Sequence, residues 1–296
     1  MGVSWLLLGY AVCAIVACGT LGAQGVCALR GHGTKVSMPA TVIALAAALL
    51  SGAFAVARLG RVDRFLNVFG NPSSAIAQGY YALVILLVVA VVAVVAMRRA
   101  ETPGEMPAWC AALCVVAALL GVYALAANLT ATVHNVAKTW LTVAYVLCAA
   151  AAVGTFACAA VEAVRSRAVA RGLALAAVGG CAATGVMAVV YALVAPGLGL
   201  RVATLTTSTY GIVPGHPSGT SISDVAAGPG IESPLFWVVA VAVGAVVPLV
   251  LGWVTRKAEG APRAVASALC AVAVLAGAGV TLGMFALGTS TTKMFM

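Results

Sequence analysis

Eight stretches of apolar sequence, each long enough to cross a lipid bilayer, leave this chain little choice of architecture. They run approximately over residues 4–28, 38–57, 75–97, 107–129, 139–163, 170–197, 234–255 and 264–287. A spanning helix needs roughly 20 predominantly apolar residues. Of the 296 residues, 64% are hydrophobic and only 8% are charged, so no soluble core accounts for the apolar content and lipid must be the solvent for most of the chain. A membrane β-barrel requires short strands that alternate lipid-facing and lumen-facing residues, whereas the run from Leu83 to Ala96 is apolar on every side. The sequence therefore predicts an all-α, polytopic bundle of eight transmembrane helices forming a single domain over residues 1–296, with a long polar loop at 198–233.

The sixteen Lys and Arg residues form no basic stripe of the kind that binds nucleic acid. They sit in short turns, where their reading is topological. Ten of them (Arg30, Lys35, Arg98, Arg99, Arg165, Arg167, Arg171, Arg256, Lys257 and Arg263) cluster at the loops between helices 1–2, 3–4, 5–6 and 7–8, and six lie elsewhere. The positive-inside rule then predicts both termini on the extracytoplasmic side, together with the loops at 58–74, 130–138 and 198–233. Arg58, Arg61 and Arg64 oppose that bias within one loop. Charges that defy topology are candidates for function, with a solvated turn as the competing reading.

Nine cysteines lie almost wholly inside the predicted helices without a C-x-x-C pair, which reads as apolar packing. The N-terminus lacks the basic start of a cleaved secretion signal. No phosphate-binding glycine pattern, zinc-protease helix or nucleophile elbow is present. His32, His134 and His216 all fall in loops or at helix ends, away from the helix interiors that would present axial ligands, so no haem is expected. His134, beside Asn128, Thr130 and Asn135, has the position of a proton handler near the membrane surface, against the plainer reading of a solvated loop histidine. Buried acids and broken helices, the marks of ion-coupled transport, are scarce.

The loop after the second helix carries the most specific run. Ala57-Arg58-Leu59-Gly60 is followed by Arg64 and Asn67, then by Ser74-Ala75-Ile76-Ala77-Gln78-Gly79. This stretch resembles the membrane-anchor subunit of the dimethyl sulfoxide reductase family, in which a Leu-His-Leu-Gly-like helix end is followed by an Arg, an Asn and a small-residue stretch ending in a carboxylate. Weaker similarity continues to Trp140 and to Leu282-Gly283-Met284-Phe285. The resemblance implies a multi-pass subunit of the bacterial cytoplasmic (inner) membrane in anaerobic respiration. It would dock an iron–sulfur electron-transfer subunit and a molybdopterin catalytic subunit and pass them electrons from exchangeable menaquinol. The molybdenum bis-pterin and the iron–sulfur clusters are then expected only in those partners, and the remaining partners are quinol and membrane lipid.

Two positions depart from the family pattern: its histidine is replaced by Arg58, and its carboxylate falls at Gly79. A guanidinium does not accept a proton. Three readings stay open: Arg58 holds a quinone oxygen while water or His134 takes the proton, Asp63 serves as base, or anchoring alone persists. Asp63 lies between Arg61 and Arg64, which makes it a weak base. The expected quinol pocket is thus Arg58, Asn67, Gln78 and His134, with Arg61 and Arg64 available to acidic residues of a docked partner. A non-redox transporter or assembly protein is the alternative from a different class.

Overall fold

The computed structural model describes residues 5–31, 37–58, 71–72, 74–100, 105–130, 136–166, 169–194 and 234–283. Eight helices in them are long and apolar enough to span a membrane. They are α1 (Trp5–Leu29), α2 (Ser37–Arg58), α3 (Ala75–Arg99), α4 (Ala108–Thr130), α5 (Val136–Ser166), α6 (Arg171–Val194), a seventh span over Phe236–Lys257 and α8 (Gly260–Thr281). In hydrocarbon every backbone N–H and C=O must be satisfied within the segment, so an apolar chain without water becomes helix. No strand occurs among the described residues.

The seventh span is not uniform. Phe236–Val246 is π-helical, and α7 (Val247–Val254) resumes α geometry before a short 3-10 turn, Thr255–Lys257. Pro248 explains where the change falls: it has no N–H to offer the Gly244 carbonyl one turn earlier, and wider hydrogen bonding is one way to absorb that loss.

α1 and α5 are the centre of the bundle. α1 packs on α2, α4 and α5, while α5 packs on α1, α4, α6 and α8; α3 lies outside, against α2 and α4. Close approach is possible because the crossing residues are small. A Cβ on Gly19 would run into the Ala150 carbonyl, and one on Gly154 into the Gly19 carbonyl. The π-helical segment and α8 meet similarly, a Cβ on Gly244 lying 2.6 Å from Gly277 Cα.

Outward faces are apolar: Leu49, Val88, Leu120, Val186 and Leu269 are all exposed. All five tryptophans are exposed as well. Trp5, Trp140 and Trp237 sit toward the end of the bundle that carries the α2–α3 connection, and Trp109 and Trp253 toward the opposite end. Aromatic belts at both ends are what a bilayer with two wet interfaces favours. The eight spans make this a multi-pass membrane protein.

Candidate functional site

At the end of the bundle that carries the α2–α3 connection, called here the motif end, the side chains of Ser51 and Tyr80 tie α1, α2 and α3 together. α3 begins just after the motif loop because Ser74 caps it, its hydroxyl accepting the Ala77 N–H at 3.1 Å. One turn on, the Tyr80 hydroxyl donates to the Ala55 carbonyl at 2.7 Å, three residues before Arg58 closes α2. The Ser51 hydroxyl donates to the Tyr10 carbonyl at 3.1 Å and joins α2 to α1. Both sides of the motif loop are therefore held to the bundle by hydrogen bonds made out of water.

At the centre of this set is Gly79. The position its Cβ would take is 2.8 Å from the Asn128 side-chain nitrogen and 3.2 Å from the Tyr10 hydroxyl. The amide from α4 and the phenol from α1 converge on the space where a side chain at 79 would start. Tyr10 and Tyr80 are buried and Asn128 is half-buried. The described acids, Glu105, Glu162 and Glu259, all belong to the opposite end. Around Gly79 the buried and half-buried side chains are thus neutral hydrogen-bonding groups: two phenols, an amide and hydroxyls.

A second polar set lies at the same end between α5 and α6. Tyr145 and Tyr191 stack with ring centres 5.6 Å apart, and the Tyr191 and Thr142 hydroxyls are 2.9 Å apart. Thr130 and Thr139 join the end of α4 to the start of α5 at 2.8 Å. All are buried or half-buried, so they act as hydrogen-bonded glue between helices.

Of the residues expected from sequence, Gln78 is exposed in the first turn of α3, beside Gly79 but turned away from the interior. Arg58 is the last residue of α2, which puts its backbone next to the Tyr80–Ala55 tie. Asn67, His134, Arg61, Arg64 and Asp63 lie outside the described residues. Sequence reasoning missed Tyr10, Ser51 and Tyr80. Their only signal was a polar or amphipathic residue within two turns of a predicted helix end, which is too common to single them out. Asn128 was noticed only as a neighbour of His134.

Nine free cysteines stand in the spans, Cys110 and Cys114 buried one turn apart in α4. No group of three or more His, Cys, Asp or Glu side chains that could hold a metal occurs among the described residues. Comparison with protein-family models, with curated proteins and with solved structures finds no match.

Proposed function

We propose that this chain is the membrane-anchor subunit of a molybdopterin oxidoreductase similar to dimethyl sulfoxide reductase, in the bacterial cytoplasmic membrane, drawing electrons from menaquinol. The observation that carries the reading is the convergence of Asn128 and Tyr10 on Gly79, beside the loop whose residues resemble the family motif. A quinol needs hydrogen-bond partners for its ring oxygens at the membrane boundary, next to apolar surface for its tail, and this end of the bundle supplies both.

On this reading Arg58, Asn67 and His134 complete the polar lining, with Gln78 at its exposed edge. Oxidation of one menaquinol to menaquinone releases two electrons and two protons. The electrons pass to the iron–sulfur subunit docked at the motif end, with Arg61 and Arg64 facing its acidic residues. The protons leave to water on the same side, through His134 or through the phenol of Tyr10. The carboxylate's place is occupied by neutral groups, so the chain's part is to orient the ring and stabilise oxygen charge, and the strong base is external.

The test is purification of the tagged protein from its native host in mild detergent, with mass spectrometry of the co-purifying chains and metal analysis. Recovery of a molybdenum subunit and a multi-cluster iron–sulfur subunit is the expected result. A metal-free protein without partners would sink the anchor reading in favour of a non-redox membrane role.

A further inference from the structure

On the side of the bundle facing lipid, α4 and α6 flank a groove of about 290 Å³ floored by α1 and α5. Its floor is made of small residues, among them Gly19, Gly22 and Ala150, and its rims include the exposed Leu119 and Leu147. Thr155 is the one hydroxyl along its length, and that hydroxyl is turned back onto its own helix, donating to the Ala151 carbonyl at 2.7 Å and the Ala152 carbonyl at 3.0 Å. The body of the groove therefore presents hydrocarbon.

Charge appears only where the groove reaches the end opposite the motif, at Arg30 and Glu162. The Glu162 carboxylate is engaged: it accepts the Ala170 N–H at 3.0 Å, just before α6 begins. Arg30 is exposed and forms no ion pair among the described residues, and the exposed Arg171 opens α6 beside the groove-lining Gly172. A Cβ on Gly172 would meet nothing within 4 Å, so the mouth is open there.

We propose that this groove seats one acyl chain of an anionic glycerophospholipid whose phosphate rests against Arg30. The dimensions fit. Leu147 to Glu162 along α5 spans roughly 22 Å at the α-helical rise of about 1.5 Å per residue, which covers one leaflet of the hydrocarbon core, about 15 Å, and its polar edge. The uneven polarity fits as well: the apolar trough ends at two exposed guanidiniums, Arg30 and Arg171, against the single carboxylate of Glu162, which leaves the mouth net positive for an apolar tail ending in a phosphate, and basic pockets between membrane helices bind anionic headgroups. An isoprenoid quinone fits less well, because its uncharged ring would leave Arg30 without an anion. The proposal is independent of the anchor reading.

The experiment reconstitutes purified wild type, Arg30→Gln and Gly172→Leu into phosphatidylcholine vesicles doped with phosphatidylglycerol, re-extracts each in mild detergent and quantifies retained lipid by native mass spectrometry. Wild type is expected to keep one phospholipid per chain with phosphatidylglycerol preferred. Arg30→Gln should lower that preference about fivefold, the worth of one interfacial cation, and Gly172→Leu should lose the lipid by filling the mouth. Ala176→Leu, at another exposed lining position, gives the same reading if Gly172→Leu fails to fold. An unchanged phosphatidylglycerol preference in Arg30→Gln, lipid retained in a folded filling variant, or menaquinone bound in place of phospholipid in native membrane extracts would each overturn the proposal.

Discussion

Asn128 of α4 occupies the space beside Gly79 of α3: its side-chain nitrogen lies 2.8 Å from the point where a Cβ would be. That nitrogen is the end of a side chain and has room to swing, because Asn128 is only half-buried. Gly79→Ala should therefore be nearly neutral, the small displacement of Asn128 being offset by about 1 kcal/mol of helix propensity. Gly79→Leu has no such escape, since the Tyr10 hydroxyl closes the same space at 3.2 Å, and it should cost about 1–3 kcal/mol. The midpoint of thermal unfolding in detergent separates the two.

The contact of Gly19 with Gly154 and Ala150 behaves differently because the obstacle is backbone. Either Gly19→Ala or Gly154→Ala forces α1 and α5 apart at the centre of the bundle. The expected loss is about 3 kcal/mol or more, at the upper end for overpacking, seen as poor yield of folded protein. Gly279→Ala is the control. Its nearest neighbour would be a Val12 methyl at 3.8 Å, so folded yield should match wild type.

Arg263 is buried to 1% exposure near the start of α8. Its Nη1 donates to Thr255 Oγ1 at 2.9 Å and to the Gly252 carbonyl at 3.3 Å, while its Nε and Nη2 and the Ser267 hydroxyl have no partner among the described residues. A buried guanidinium with three of its five N–H donors unpaired opposes folding, and Thr255 keeps its bond to the Leu251 carbonyl without it. Arg263→Met, which preserves much of the volume, should be neutral or stabilising by about 1–4 kcal/mol. A clear drop in melting temperature would contradict this and point to an anion or water held in the open fork.

Tyr80→Phe removes the tie from α3 to the Ala55 carbonyl. Hydrogen bonds between membrane helices average about 0.6 kcal/mol, so stability should barely change. If the tie fixes the motif loop for quinol chemistry, electron transfer from a menaquinol analogue in the purified complex will fall further than stability does.

Arg58→Ala carries the sharpest consequence for the anchor reading. The expected outcome is intact assembly with partner subunits and greatly slowed electron transfer from a menaquinol analogue. An unchanged rate removes Arg58 from the quinol pocket.

Most of the helical skeleton was legible because spanning length and continuous apolarity are properties of a segment alone. The edges moved where local polarity competes with helix: α5 begins at Val136 and ends at Ser166, beyond the 139–163 expected, carrying Glu162 and Arg165 within it. α8 starts at Gly260, four residues before its first expected residue, after a turn in which Gly260 takes a positive φ of 64°. The π-helical segment left no trace beyond Pro248. The site was less legible still, because Tyr10, Gly79 and Asn128 meet only after three separate helices pack, and no local pattern encodes that meeting. Conversely, the motif falls largely in the α2–α3 connection, where only its flanks, Ala57, Arg58 and Ser74 to Gly79, are described.

The length of α5 bears on the membrane itself. Its 31 residues extend over roughly 46 Å at about 1.5 Å per residue, against a hydrocarbon core of about 30 Å. Because α5 is locked through Gly154 to α1 and packs on α6 and α8, it cannot tilt alone to hide the excess. Either the whole bundle leans, or the turn of α5 carrying Glu162 and Arg165 stands clear of the acyl region as a fixed post. The protein should then tolerate bilayers of different thickness, with mismatch taken up in headgroup depth along this one helix.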